Sequence, residues 1–240
     1  MKGLRISLAQ INPVVGDLDG NGHPDLLLTN RGAANEIVYN DGGWDFSRTA
    51  RFGGGDDSTI SVAMADVDAD GHLDLVLGNR DGQPNAIYFG DGVGGYGRPI
   101  PFGTGSDETR AVAVGDMDGD GWLDIVTGNI GEADGVYFGS AAGDFTRSVR
   151  FGPPDAASYS LVLTDLDGDG DLDVVVGHAD RSNAAYINKG DGRSFTTVTF
   201  GMEEGMTYGV AVGDVDGDGR PDIGVANSGG PNSVYLNRPG

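Results

Sequence analysis

The chain has 240 residues, with 37 acidic and 15 basic side chains, 44 glycines and no cysteine. Its formal net charge of −22 argues against binding to nucleic acid, because polyanions are recognised through clustered Lys and Arg. No apolar run approaches the roughly 18 residues that span a bilayer, so no membrane insertion is expected. Without cysteine, disulfides, thiol nucleophiles and thiolate metal sites are excluded. The charge favours cations as ligands.

A nine-residue segment that begins at Asp17 recurs at a nearly constant spacing. Its five copies span residues 17–25, 66–74, 116–124, 165–173 and 214–222, so their starts lie 49, 50, 49 and 49 residues apart. A Phe-Gly pair stands 14 residues before each of the last four copies, at Phe52, Phe102, Phe151 and Phe200. A fixed period of this length indicates a repeat architecture in which each repeat is one supersecondary unit.

Each repeat is predicted to form four short strands, since no segment shows the 3.6-residue apolar period of a helix. In the second repeat we expect these strands at residues 60–65, 73–77, 86–89 and 96–102. A four-stranded unit of 49 residues has the size of a propeller blade. The sequence therefore predicts an all-β fold, a single domain over residues 1–240 that forms a five-bladed β-propeller with four antiparallel strands in each blade.

The first strand of each repeat alternates larger and smaller uncharged side chains. Leu161 and Leu163, for example, alternate with Ser160 and Val162. Both faces of such a strand are expected to be covered by neighbouring blades, with large side chains packed against small ones, because a sheet exposed on one side would alternate apolar with polar residues.

The last repeat ends at Gly240, which aligns with Gly43, so we expect its fourth strand to come from elsewhere. Residues 3–9 alternate apolar with other residues, as in a half-buried strand. We predict that this N-terminal strand pairs with the strand around residues 234–236 and closes the ring. A frayed N-terminus with a three-stranded last blade is the alternative.

The recurring segment reads Asp-x-Asp-x-Asp-Gly-x-x-Asp, which places oxygen ligands at positions 1, 3, 5 and 9. That order matches the early part of a calcium loop, and the glycine at position 6 permits a sharp turn. Oxygen ligands favour a hard cation over zinc or copper, and calcium accepts more oxygens than magnesium does. Position 12 lacks the Glu of a helix–loop–helix site, so we expect strand-to-strand calcium loops and about five Ca²⁺ ions, one per blade.

The predicted ligands follow from these positions. The side-chain ligands are Asp17, Asp19, Asn21 and Asp25; Asp66, Asp68, Asp70 and Asp74; Asp116, Asp118, Asp120 and Asp124; Asp165, Asp167, Asp169 and Asp173; and Asp214, Asp216, Asp218 and Asp222. The position-7 residues are expected to bind through their backbone carbonyls, with side chains facing solvent: His23, His72, Trp122, Asp171 and Arg220. The first site should bind most weakly, because Asn21 carries no charge.

For any single loop, the alternative is an Asp/Gly-rich turn held by hydrogen bonds from the backbone to its side chains. Five copies in register favour the metal, since clustered carboxylates repel one another without a cation. Twenty of the 37 acidic residues lie in these loops, which leaves 17 acidic against 15 basic residues elsewhere. The acidity of the chain is therefore concentrated in five places.

At these residues the chain resembles the FG-GAP or VCBS repeat family, the calcium-binding β-propellers of the integrin α type. The five acidic loops, the Phe-Gly pairs and the segments at residues 35–42 and 183–188 carry the resemblance. It implies a calcium-binding, integrin-like propeller, in a family whose roles include cell adhesion and lectin-like binding. Propellers of this type usually have seven blades, so either this ring has five or another copy supplies the others.

We expect a monomeric, non-catalytic recognition or adhesion module that binds a glycan or a protein. Its ligand would lie on the face opposite the calcium loops, beside Tyr159, Tyr208 or Trp44. An extracellular, cell-surface or periplasmic location is expected, with any export signal removed, because no apolar segment follows Lys2 and Arg5. The alternatives are a structural repeat fragment or engineered propeller without its own ligand and, less favoured because the three histidines are dispersed, a hydrolase with its site at the central channel.

Overall fold

The computed structural model describes residues 10–201 and 206–238. Strands account for all the regular structure in these ranges, and no helix there could cross a membrane. The strands are β1 Gln10–Gly16, β2 Asp25–Asn30, β3 Asn35–Val38, β4 Thr49–Phe52, β5 Thr59–Ala65, β6 Asp74–Asn79, β7 Asn85–Tyr88, β8 Ile100–Phe102, β9 Thr109–Gly115, β10 Asp124–Asn129, β11 Asp134–Phe138, β12 Arg147–Phe151, β13 Ser158–Thr164, β14 Asp173–His178, β15 Asn183–Asn188, β16 Phe195–Phe200, β17 Thr207–Gly213, β18 Asp222–Asn227 and β19 Ser233–Tyr235.

The strands form five antiparallel sheets, one for each repeat. Sheets 1 to 4 contain β1–β4, β5–β8, β9–β12 and β13–β16, and sheet 5 contains β17–β19. Neighbours in each sheet are neighbours in sequence, so every sheet is a meander like a propeller blade. The all-β prediction is confirmed, and so are four strands in four of the five repeats. The predicted pairing of residues 3–9 lies outside the described residues, and the closed ring over residues 1–240 stays a prediction.

The fourth strand of sheet 2 is shorter than predicted. We expected it to begin at residue 96, but β8 covers only Ile100–Phe102. Pro99 and Pro101 have no N–H to donate to a ladder, and proline in sheets is confined to edge strands. Tyr96 makes only an isolated bridge to Gly90. The Gly- and Pro-rich segment before β8 therefore forms a loop.

The chain groups into two compact units, one ending at Thr109 and the other beginning at Arg110. The first contains sheets 1 and 2, and its core includes the fully buried Leu27, Ile37 and Leu75. The second contains sheets 3, 4 and 5. One of its clusters joins sheets 3 and 4, and a smaller one joins Val175 of sheet 4 to Ile223 of sheet 5. Each unit is thus built by packing one sheet on the next.

Large side chains of one sheet pack against small residues of the preceding sheet. A Cβ atom placed on Gly177 of sheet 4 would lie 2.9 Å from Val210 Cγ1 of sheet 5, and one on Gly16 would lie 2.9 Å from Met64 Cε. Leu161 likewise packs against Ala111 in one buried cluster. The expected packing of large against small is confirmed in both units.

The Phe-Gly pairs have a packing role between neighbouring sheets of the same unit. In three cases the phenylalanine meets a tyrosine of the next sheet edge to face, with ring centroids 4.9–5.2 Å apart: Phe52 with Tyr88, Phe151 with Tyr186 and Phe200 with Tyr235. Such pairs contribute about 0.5–1.5 kcal/mol beyond the area they bury. The recurrence of Phe in the sequence therefore reflects a repeated contact between sheets.

Candidate metal centre

Each acidic segment forms the loop between the first and second strands of its sheet, and we number these loops 1 to 5 in chain order. In loop 3, Asp116 directly follows β9 and Asp124 is the first residue of β10. The same holds in the other sheets, where position 1 follows the first strand and position 9 begins the second. The two ends of every loop are thus fixed by adjacent strands of one ladder.

Two positions in every loop have left-handed backbone. Position 6 is glycine with φ between 83° and 97° in all five loops, as the sequence predicted. Position 4 also has positive φ, and it is glycine in four loops and Ala69 in loop 2, where φ is 61°. An alanine there costs about 1–2 kcal/mol, because its Cβ approaches the following carbonyl. The recurrence of glycine at position 4 was the overlooked signal in the sequence.

Each loop brings together three carboxylates whose oxygens lie within 4.8 Å of one another. In loops 1, 3 and 4 these come from positions 1, 3 and 9: Asp17, Asp19 and Asp25; Asp116, Asp118 and Asp124; Asp165, Asp167 and Asp173. In loops 2 and 5 they come from positions 1, 3 and 5: Asp66, Asp68 and Asp70; Asp214, Asp216 and Asp218. Three of the four side chains predicted for each of loops 2 to 5 therefore share one small volume, as do all three aspartates of loop 1.

The position-9 aspartate is buried and accepts backbone hydrogen bonds with both oxygens. Asp124 accepts the N–H of Met117 and the N–H of Gly139, each at 2.8 Å. Equivalent pairs at 2.8–2.9 Å occur at Asp25, Asp74, Asp173 and Asp222. The bonds join the loop to the end of the third strand. Position 9 thus holds the sheet together in every repeat, and in loops 1, 3 and 4 it also belongs to the cluster.

The remaining ligand positions shape the loop itself. Asp165 accepts the N–H groups of Gly168 at 2.7 Å and Gly170 at 3.0 Å, and Asp169 accepts the N–H of Asp171 at 3.0 Å. These are the turn contacts that we considered as the alternative to a metal site. A carboxylate oxygen has a further lone pair, so such bonds leave it able to bind a cation. The loop is thus folded around its own aspartates.

The position-7 side chains differ in exposure. His23 and His72 are exposed, whereas Trp122, Asp171 and Arg220 are half-buried. The guanidinium of Arg220 donates to the Asn237 carbonyl at 2.7 Å and also pairs with Asp218. Position 7 therefore faces solvent fully only in loops 1 and 2.

Burial makes four of the five position-9 aspartates harder to ionise. Burial and, to a smaller extent, the neighbouring position-3 and position-5 carboxylates raise the pKa of Asp74 and of Asp124 to about 6, against the lowering effect of the N–H bonds. Burial raises the pKa of Asp25 and Asp173 as well. Asp222 differs, because its bonds from Asn237 and Val215 lower its pKa on the more exposed sheet 5. A cation in the cluster would favour the ionised forms.

Arginines lie against some clusters and not others. At position 3, Arg48 pairs with Asp19, Arg193 with Asp118 at 3.4 Å and Arg238 with Asp216 at 3.5 Å. Among the described residues, no arginine pairs with the cluster carboxylates of loops 2 and 4. These arginines were not singled out from the sequence, since Arg48 and Arg193 are distant from the loops they contact. The five loops are therefore electrostatically unequal.

One buried oxygen tests whether a cation fits. Asp118 Oδ1 in loop 3 is buried and has no hydrogen-bond partner among the described residues. A buried charged oxygen without a partner is costly, and a cation would satisfy it. The ligand atoms of its cluster are carboxylate oxygens, which suit a hard cation such as Ca²⁺. The cluster residues named above would hold the ion.

A strand-loop-strand repeat with an acidic loop at its first turn thus defines an all-β repeat protein. Residues 17–77, 66–127, 117–176 and 165–225 match the FG-GAP-like repeat. The chain therefore belongs to the FG-GAP-like repeat family. No curated protein matches the chain significantly in sequence.

Solved structures share the fold at low sequence identity. The biofilm matrix protein Bap1 of V. cholerae is 20% identical, with a TM-score of 0.54 over 91% of this chain and 35% of the Bap1 chain. BBS1N, in its complex with ARL6DN, is 13% identical, with a TM-score of 0.50 over 96% of this chain and 80% of that one. This chain thus spans about a third of Bap1, and at these identities the likeness concerns the fold alone.

Proposed function

We propose that the chain is a calcium-binding β-propeller that acts as a non-catalytic recognition or adhesion module outside the cytoplasm. The observation that carries the proposal is the cluster of three carboxylates within 4.8 Å in every one of the five loops. Turn-forming aspartates alone would not require a third carboxylate in the same small volume, since like charges at this distance repel. A bound cation offsets that repulsion.

Calcium in this role stabilises the fold. Position 9 begins the second strand and accepts bonds from the loop and from the end of the third strand. In loops 1, 3 and 4 it also belongs to the cluster, so an ion held there would tie the loop to the sheet. Stabilisation by a ligand that binds only the folded state reaches about 2.7 kcal/mol for one site at 100 times its Kd. Five such sites would make folding depend on calcium.

The recognition surface would lie at the opposite ends of the sheets, whose turns differ from one repeat to the next. The fold itself is compatible with protein binding, since BBS1N forms a complex with ARL6DN. A matrix protein, Bap1, also shares it. The proposed ligand is a glycan or a protein, bound by a monomer.

Two measurements test the proposal. Native mass spectrometry in calcium should show five bound ions, and a protein that binds none would overturn the metal assignment. A glycan array and an affinity pull-down from extracellular fractions, both in saturating calcium, should yield a ligand. If neither experiment yields a ligand, the result would instead support a structural repeat without its own ligand.

A further inference from the structure

Three side chains form a continuous row in the second unit, at the ends of sheets 3, 4 and 5 away from the acidic loops. They are Arg110, Tyr159 and Tyr208, the second residues of β9, β13 and β17. The Arg110 guanidinium carbon lies 5.2 Å from the centroid of the Tyr159 ring. The Tyr159 and Tyr208 rings meet edge to face, 5.2 Å apart at 84°. We refer to these residues as the Arg-Tyr-Tyr row.

Local backbone geometry places the two tyrosines in this row. The pairing of β13 with β14 shifts register between Ser158 and Ser160, and that of β17 with β18 shifts between Thr207 and Gly209. Tyr159 and Tyr208 are the extra residues of these bulges. A bulge redirects a side chain and is frequent beside functional sites. Tyr208 is 49% exposed, although Thr207 beside it is buried.

The same position differs in the first unit. Sheet 2 has a register shift at the same point of β5, between Thr59 and Ser61, and Ile60 there is 4% exposed. The bulge is therefore part of the repeat, whereas an aromatic side chain at the bulge is a feature of sheets 4 and 5, where Tyr159 is half-buried and Tyr208 is exposed. Packing alone does not require a tyrosine at this position, since sheet 2 has a buried isoleucine there.

Arg110 has a charge that the described residues leave unmatched. Most arginines of this acidic chain pair with carboxylates, but no described carboxylate lies within 4.0 Å of the Arg110 guanidinium. At the same end of sheet 4, Arg181 pairs with Asp155 at 3.1 Å and with Asp180 at 3.0 Å, so it offsets one of those two negative charges. The row therefore ends in a cation that has no ion pair among the described residues.

The acidic loops are too far away to repel an anion from the row. Asp116, Asp165 and Asp214 each stand six residues after the corresponding row residue. Six strand residues span roughly 20 Å, and the Debye length at physiological ionic strength is about 8 Å. An anionic ligand at the row is thus screened from most of the negative charge of the protein.

We propose that the Arg-Tyr-Tyr row binds a carboxylated sugar, such as the uronic acid of a glycan. This inference rests on the proposed recognition function and names its ligand class. The tyrosine rings offer flat apolar surface and phenolic hydroxyls, which suit the C–H face and the hydroxyl groups of a pyranose ring. The planar guanidinium of Arg110 matches a carboxylate in a bidentate pair. A neutral sugar would leave Arg110 without its partner.

The test compares methyl β-glucuronide with methyl β-glucoside, which has a hydroxymethyl group in place of the carboxylate. Both are titrated by NMR against the full chain in saturating calcium, with the tyrosine ring resonances as reporters. We expect the glucuronide to bind about tenfold more tightly. Arg110→Gln should remove this preference by weakening glucuronide binding about tenfold, since hydrogen bonds to charged groups are the stronger ones. Tyr208→Ala should weaken both sugars about equally.

Two matched controls address charge and exposed aromatic surface in general. Arg51 is exposed on β4 of the first unit, so Arg51→Gln makes the same charge change away from the row. Trp44 is 85% exposed, also in the first unit. It lies in the turn between β3 and β4, beside the acidic loop of sheet 1, so the expectation that it borders the opposite face is wrong. Trp44→Ala therefore removes aromatic surface away from the row. Both variants should bind the glucuronide as the parent does.

The inference is overturned if Arg110→Gln leaves the preference for the glucuronide unchanged. It is also overturned if an acidic hexapeptide perturbs the row while the glucuronide does not, which would assign the row to a protein partner. A ligand that appears on the array or in the pull-down and binds the Arg110→Gln and Tyr208→Ala variants normally would reject the row but retain the recognition module. If no ligand of any class binds, the proposed function fails as well.

Discussion

The two ends of each sheet differ in what recurs from one repeat to the next. At the acidic end both the residue types and the bonds recur, because all five position-9 aspartates accept the same two backbone N–H groups. At the opposite end a hydrogen-bond geometry recurs but the chemistry changes between sheets. This difference suggests that the acidic end is architecture common to all repeats, whereas the opposite end is free to specialise.

The recurring bond at the opposite end runs from the last residue of the second strand to the side chain that begins or precedes the third. The backbone N–H groups of Asn30, Asn79, Asn129, His178 and Asn227 donate at 2.8–2.9 Å to the side-chain oxygens of Asn35, Asn85, Asp134, Asn183 and Asn232. Sheet 3 departs from the others by having Asp134 where they have asparagine. Sheet 4 departs by having the buried His178.

The largest expected effect separates the two roles of the acidic loops. Asp124→Ala removes the partner of two buried N–H groups, so it should destabilise the protein by roughly 3–5 kcal/mol at any calcium concentration. Asp120→Ala in the same loop removes one exposed acceptor, that of the Trp122 N–H, so its loss of stability at low calcium should be much smaller and should grow when calcium is present. Urea unfolding at high and low calcium measures both. If the two variants lose the same free energy of unfolding at low calcium, position 9 has no structural role of its own.

The second prediction concerns the aspartate of sheet 3. Burial raises the pKa of Asp134 to about 7, against the effect of its bonds from Asn129 and from the Ser158 hydroxyl. The folded protein therefore retains a proton that the unfolded chain releases, so stability falls as the pH rises from about 4 to 7. Asp134→Asn should stabilise the protein by about 2–4 kcal/mol at pH 8 and hardly at pH 4.

The reverse substitution provides a matched control in the first unit. Asn85 donates to Thr109 Oγ1 at 2.9 Å, in the position equivalent to the bond between Asp134 and Ser158. Asn85→Asp should therefore destabilise the protein at pH 8, and the loss should shrink towards pH 4. Thermal melts at fixed calcium would measure both variants, and pH-independent effects would reject the account of Asp134.

The third prediction compares loop 1 with loop 2. Loop 1 has one carboxylate fewer and a salt bridge from Arg48 to Asp19, whereas loop 2 has neither feature. Loop 1 should therefore fill last in a calcium titration, and Arg48→Gln should raise its affinity about tenfold by removing a positive charge near the ion. The amide resonances of Gly22 and Gly71 report the two loops separately. Simultaneous filling in the parent would contradict this.

The smallest effect concerns Ala69 in loop 2, the only position-4 residue that is not glycine. Ala69→Gly should stabilise the protein by about 0.5–1 kcal/mol, because relief of positive φ exceeds the added entropy of the unfolded chain. Gly119→Ala in loop 3 is the converse control, since a Cβ there would meet nothing within 4 Å and only φ opposes it. Urea midpoints that move in the same direction for both variants would contradict this explanation.

The repeat made most of the fold readable from the sequence. The period gave the five sheets, and the Asp spacing gave the clusters, because these features recur at fixed positions. The predicted start of β8 was wrong, since Pro99 and Pro101 interrupt the strand pattern that the other repeats keep. Arg48 on Asp19 and Arg193 on Asp118 could not be read from the sequence, because they depend on which loops lie side by side. Residues that occur once, such as Arg110 and Asp134, have no recurrence to reveal them.

The most direct test of the central claim is the melting temperature of the full chain in excess calcium and in excess chelator. Occupation of one site at 100 times its Kd adds about 2.7 kcal/mol, which for a chain of this size corresponds to a rise of about 5–11 °C. With five sites, the account predicts a rise larger than this single-site value. The same melting temperature in calcium and in chelator would contradict it.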